Sequence, residues 1–186
     1  MSNYTTAIVR PAISLQEINR IGKKNNLIFT LIDNAFVKKQ LSDKDTQYYL
    51  VEWAKDEYNI PIGKMENIDV ESNILDNLSI IFNDSEDNFI QLIEEEKKKK
   101  SDTIQQSLKN WTQFLKDFLF ENPNSKIGLL SHWYTGLVET EELSIKKVSK
   151  IIVNASKESY TVEKMEDDVL YVFEQIQENI DVDSIQ

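Results

Sequence analysis

The strongest constraint on the fold is a long apolar stripe in the second half of the sequence. Five apolar residues recur there at intervals of three or four: Ile104, Leu108, Trp111, Leu115 and Phe118. This spacing is typical of one apolar face along an α-helix. Ser101 and Asp102 supply a start signal, and Asn122, Pro123 and Asn124 supply a stop signal. The sequence therefore predicts a helix over residues 101–121.

The first third of the sequence predicts a strand, a helix and a second strand. Residues 6–9 form a short apolar run of strand type. Ser14 and Glu17 then have the spacing of a capping box, in which each side chain accepts a hydrogen bond from the other's backbone N–H. Residues 27–32 form a compact apolar run of strand length. These elements predict an N-terminal β-α-β unit.

Three further segments show helical spacing of their apolar residues. They lie at 74–82, at 89–93 and at 165–180, where Met165, Val169 and Phe173 belong to the stripe. Together with the helix over 101–121, these segments predict a chain that is richer in helix than in strand.

The remaining strand signals lie on both sides of one predicted turn and within two segments that fit either a helix or a strand. Apolar runs flank Thr135 and Gly136, which predicts a hairpin near 127–145. The segments 46–58 and 144–154 fit either a helix or a strand. We therefore expect an α+β fold, a helix-rich single domain with a small β-sheet made of the β-α-β unit and the hairpin. This domain covers 1–186, and residues 181–186 are expected to fray.

The charge of the chain is strongly negative and unevenly distributed. The chain has 32 acidic and 21 basic residues, a net charge of −11. Residues 65–100 carry a net −6 and residues 161–186 a net −7, whereas residues 1–64 carry +2. A field of this sign repels nucleic acid and favours a basic protein partner. Solubility alone is the alternative explanation of the acidity.

The sequence offers little of the usual chemistry of active sites. It has one histidine, His132, no cysteine and four glycines, and no phosphate-binding glycine motif. We expect His132 to be a hydrogen-bonded structural residue rather than a general base. These features predict a protein that is not an enzyme and that has neither a cofactor nor a metal site. No apolar run is long enough for a membrane span and no signal peptide is present, so a cytoplasmic location is expected.

Aromatic and acidic residues mark the predicted partner-binding surface. Tyr48 and Tyr49 are adjacent, so one of them is expected at the surface, where tyrosine often contributes to binding. The acidic residues that we expect to contact the partner lie in the acidic segment near the C-terminus, together with the acidic region 84–96. The candidate partner-binding residues are Tyr48, Tyr49, Glu163, Glu166, Asp167 and Asp168.

These observations favour a non-enzymatic protein that binds a basic protein partner. In general composition the chain is similar to bacterial immunity proteins and phage-encoded inhibitors, a likeness that assigns no role to single residues. A second hypothesis is a structural subunit of a bacterial complex, possessing an interface on the apolar faces of helices 101–121 or 162–180. A third is an enzyme that uses carboxylates and a divalent metal.

Overall fold

The fold is organised by one mixed sheet of six strands. A computed structural model describes residues 2–34, 45–53, 86–137, 140–143, 145–155 and 165–176. The elements within them are, in chain order, β1 (Ser2–Arg10), α1 (Leu15–Lys24), β2 (Leu27–Leu31), β3 (Gln47–Trp53), α2 (Glu86–Glu121), β4 (Lys126–Tyr134), β5 (Lys147–Val153) and β6 (Val169–Gln175). The prediction of a helix-rich domain with a small sheet was wrong, because the α+β fold is dominated by its sheet.

The strands lie in the order β2-β3-β1-β4-β6-β5. All neighbours are antiparallel except β5 and β6, which are parallel. The strand, helix and strand predicted at the N-terminus are present, but β3 lies between β1 and β2. β1 is therefore central and pairs with β3 on one edge and with β4 on the other.

α1 begins as the sequence predicts. The Ser14 hydroxyl accepts a hydrogen bond from the backbone N–H of Glu17, at 3.1 Å, and so caps the first turn. The Glu17 carboxylate instead contacts Arg20, which also contacts Glu121 at the end of α2. Burial of Ile18 and Ile21 fixes the inner face of α1 against the sheet.

α2 is longer than predicted, because it is one continuous helix from Glu86 to Glu121. Ser101 and Asp102 do not start a new helix, because the helix that begins at Glu86 continues through them without a break. The helix ends where the stop signal predicts. The apolar stripe lies in its second half and packs on the sheet, with these residues at most 1% exposed: Trp111, Phe114, Leu115, Phe118 and Leu119.

Two predicted elements are corrected by the sheet. The hairpin near 127–145 does not form among the described residues, because β4 pairs instead with β1 along its whole length and with β6 at Lys126–Leu130. The helical stripe predicted at 165–180 includes β6, a strand with covered residues on both faces. When both faces of a strand are covered, apolar residues occur in an unbroken run, and some of them fall at the three- and four-residue intervals of a helix. The two ambiguous segments contain β3 and β5, so their described parts are strands.

Neighbouring residues of each strand lie on opposite faces of the sheet. The helix-covered face contains Ala7, Tyr49 and Leu129 under α1 and α2. On the opposite face a second cluster contains Ile8, Tyr48, Leu130 and Tyr134, and is covered by Ile32 and Leu143 from two loops.

Several predictions fall on residues outside the described part of the chain. They are the helix at 74–82, the site residue Glu163 and the frayed tail at 181–186. Among the described residues, no helix is both long and apolar enough to cross a membrane.

Candidate functional site

Two adjacent acids, Asp167 and Asp168, hold the end of β4 from its two faces. Asp168 has a φ of 62°, in the left-handed region that aspartate tolerates better than most residues. Its backbone N–H donates to the carbonyl of Ser131 at 2.8 Å. The Asp167–Asp168 turn therefore directs one carboxylate to each face of the sheet, around residues 131–133.

On the helix-covered side, Asp167 binds two side chains of β4. It accepts hydrogen bonds from the Ser131 hydroxyl at 2.5 Å and from the Trp133 indole N–H at 3.2 Å. Ser131 is buried, whereas Trp133 is 50% exposed. The neighbouring Glu166 is exposed. Asp167 thus fixes a half-exposed indole, and the residue before Asp167 in the chain is an exposed acid.

On the opposite side, Asp168 contacts an imidazole and an ammonium group. Asp168 Oδ1 lies 2.6 Å from Nδ1 of His132, and Oδ2 accepts from Nζ of Lys146 at 2.6 Å. Partial burial raises the pKa of Asp168, but the bonds to Lys146 and His132 outweigh it and leave the pKa below its usual range. The hydrogen bond to Asp168 in turn raises the pKa of Lys146.

The second nitrogen of His132 faces Glu141. Nε2 is buried, lies 3.7 Å from Glu141 Oε1 and makes no hydrogen bond with the part of the chain that the structure describes. Glu141 itself accepts from the backbone N–H groups of Gly136 and Thr135, at 2.9 and 2.8 Å. The bond from Gly136 is the largest cause of the lowered pKa of Glu141. His132 therefore lies between two carboxylates that come from different loops.

Two buried phenols extend this polar cluster beneath the imidazole. The hydroxyl oxygens of Tyr48 and Tyr134 lie 2.6 Å apart, and the Tyr134 ring meets the His132 ring edge-on at 4.7 Å. Burial raises the pKa of both tyrosines. Both therefore stay neutral, so the pair is a structural hydrogen bond rather than a source of phenolate.

Of the five predicted partner-binding residues that the structure describes, two are buried in the sheet and three lie together. Tyr48 and Tyr49 are both buried, at 5% and 1% exposure, so the expectation that one lies at the surface was wrong. They point to opposite faces of β3, and each face is covered there. Glu166, Asp167 and Asp168 lie together in and before the turn, and only Glu166 is exposed.

The sequence pattern missed the residues that complete this site. Trp133 had an available signal, because a strand that places His132 inward must place Trp133 on the other face. Glu141 and Lys146 had none, since their contacts to His132 and Asp168 depend on how two loops fold over the end of the sheet. His132 is buried and hydrogen-bonded, as predicted.

The contacts of His132 and Asp168 join two loops to the end of β4. Asp168 orients the imidazole, but Nε2 faces a carboxylate, and the adjacent Ser131 hydroxyl lies on the other face of β4. Among the described residues, no group of three acidic or histidine side chains is arranged to hold a metal ion.

The comparisons add no relative from which a role can be transferred. No protein-family model matches the sequence, and neither the curated proteins nor the solved structures contain a significant match to it.

Proposed function

We propose that this protein is a non-enzymatic binding protein that docks a basic protein partner on the surface formed by Trp133, Glu166 and Asp167. The observation that carries the proposal is the half-exposed indole of Trp133, which a hydrogen bond to Asp167 holds in place. A fixed aromatic side chain loses little conformational freedom on binding, so it is a favourable anchor for a partner.

The charges around this indole favour a cationic partner. Asp167 contributes a negative charge although its oxygens hold Ser131 and Trp133, and Glu166, the residue before it in the chain, is exposed. An arginine or lysine of the partner gains both a carboxylate contact and a cation–π contact with the indole. The net charge of −7 over residues 161–186 adds long-range attraction that speeds the encounter.

The most concrete form of the proposal is an immunity or inhibitor protein of a bacterium or phage that covers a basic surface of its target in the cytoplasm. The alternative of a structural subunit was tied to two helix faces. One of these, in α2, is buried against the sheet, and the described part of the other is β6. The described contacts therefore support the acidic and aromatic surface over those faces.

Capture from a native lysate followed by affinity measurement tests the proposal. We expect the wild-type chain to retain a partner with a basic isoelectric point, and Glu166→Lys and Trp133→Ala each to weaken binding at least tenfold. Attraction between the charges also predicts that affinity falls as salt is raised.

Matched control variants test whether binding depends on this surface or only on the overall negative charge of the chain. Asp102→Lys makes the same charge change at an exposed position of α2 outside the 84–96 region, and Phe120→Ala removes an exposed aromatic ring of α2. Both should bind as the wild type does. The proposal fails if no partner is captured, or if Asp102→Lys weakens binding as much as Glu166→Lys.

A further inference from the structure

β5 forms the edge of the sheet among the strands that the structure describes, with β6 as its neighbour. On the face away from the helices, β5 presents Val148, Lys150 and Ile152 in alternation. Val148 and Ile152 are 54% and 63% exposed, and Lys150 is exposed as well. An edge strand has one row of backbone N–H and C=O groups directed away from its neighbour, which is a template for a further strand.

The charge of this edge is opposite to that of the chain. Between Glu142 and Glu158 the sequence contains four lysines and no acidic residue. Two of them, Lys147 and Lys150, lie on opposite faces of β5 and are both exposed. Lysines on an edge strand discourage pairing with the same edge of another copy, because lysines would then approach lysines. The charge therefore selects against a second copy and in favour of an acidic strand.

Protection against aggregation explains the lysines but leaves the apolar residues unexplained. Ile176, which follows β6, is 41% exposed and adds to Val148 and Ile152. Ile152 and Ile176 also line an open cleft of about 370 Å³, together with the paired side chains Lys126 and Glu174. A purely protective edge has no need of exposed branched apolar side chains, whereas neighbouring ones such as Ile152 and Ile176 mark interaction surfaces.

We propose that β5 binds an extended acidic segment of a partner protein as an added strand. The backbone of the segment pairs with the outer edge of β5, which supplies affinity. Its carboxylates contact Lys147 and Lys150, and its apolar side chains pack on Val148 and Ile152. This surface differs in charge and position from that of Trp133 and Glu166, so neither proposal depends on the other.

Fluorescence anisotropy with a labelled seven-residue probe tests the proposal. The probe is Glu-Val-Glu-Glu-Glu-Val-Glu, capped at both ends, so that its two valines can lie opposite Val148 and Ile152 while its central glutamate lies opposite Lys150 and a terminal one near Lys147. We expect saturable binding to the full chain, and at least tenfold weaker binding to Lys147→Glu/Lys150→Glu and to Ile152→Thr. Hydrogen exchange of the β5 amides should slow when the probe binds, which mere electrostatic adhesion does not produce.

The controls match each change at an exposed position of α2. Lys97→Glu/Lys109→Glu makes the same charge change, and Phe120→Thr removes an exposed apolar side chain. Both variants should bind the probe as the wild type does. Equal binding of a probe with lysine in place of glutamate, unchanged exchange at β5, or no binding at millimolar probe would overturn the proposal. So would sedimentation that shows the wild-type chain to pair with itself through β5.

Discussion

The two faces of the sheet are both buried around β1, but different interactions fill them. On the helix-covered face, aromatic rings from strand and helix pack directly, as where Phe29 stacks on Phe114 with ring centres 4.9 Å apart. On the opposite face, the buried side chains include the Tyr48–Tyr134 hydroxyl pair and His132, and among the described residues Ile32 and Leu143, which cover this face, lie in loops.

This difference predicts two kinds of response to mutation. On the helix-covered face, the free energy of unfolding should depend on the volume of the side chain removed, because the cost of a cavity adds to the lost burial. On the opposite face, it should depend on whether a polar group loses its partner, because an unpaired buried group retains its desolvation cost.

The largest effect is expected for Trp111→Ala on the helix-covered face. Trp111 is 1% exposed, and its loss should lower the free energy of unfolding by about 3–5 kcal/mol, measured by urea denaturation. Phe120→Ala is the control, since Phe120 is 67% exposed on the same helix. Its effect should stay below about 0.5 kcal/mol. Similar losses for the two variants would contradict the packing described for α2.

A smaller effect is expected for Tyr134→Phe on the opposite face. This change removes one hydroxyl of the pair and leaves the Tyr48 hydroxyl with only its hydrogen bond to Thr6, which should cost about 1–2 kcal/mol. The double variant Tyr48→Phe/Tyr134→Phe removes both hydroxyls, so its cost should be less than the sum of the two single changes. Strict additivity in this cycle would show that the two hydroxyls do not interact, and would weaken the distinction between the faces.

The smallest effect, about 1 kcal/mol at pH 7, is expected for Asp168→Asn, because solvent partly screens its contacts. The pKa of Asp168 is lowered from its ordinary value of 3.8, so its contribution is present above that pH. It is lost as the pH falls through the lowered pKa, because the folded state then takes up the proton. Urea denaturation at a series of pH values measures this dependence.

The control for this titration is Asp102→Asn, at an exposed position of α2. The wild type and Asp168→Asn should converge in stability at the acid end of the series, while Asp102→Asn should follow the wild type throughout. A difference that persists unchanged into acid would mean that Asp168 acts through its shape and not through its charge.

The sequence predicts elements well where one face of the element is buried. The second half of α2 has its apolar side chains on one side only, so helical spacing is visible. The same holds for α1, whose cap at Ser14 acts within three residues and needs no distant partner. The sequence therefore predicts an element correctly where one face of that element is buried and its start and stop signals are local.

The wrong predictions lie where distant parts of the chain decide. β6 is covered on both faces, with Phe173 on the helix side and Leu170 packed over Gly128 on the other, so no alternation remains visible. The hairpin prediction fails because β1 is already the partner of β4. The contacts of Asp167 and Asp168 with residues of β4 join positions 34 to 36 residues apart, which no local pattern encodes.

The central place of β1 has a consequence for synthesis of the chain. Its pairing with β4 joins Ser2 to Tyr134 and Arg10 to Lys126, and β3 pairs only with the opposite edge. At about 5–20 residues per second, a ribosome needs roughly 5 to 25 seconds between completing β1 and completing β4. During that interval the edge of β1 that β4 will occupy is without its native neighbour, and an unpaired strand edge exposes a nascent chain to aggregation.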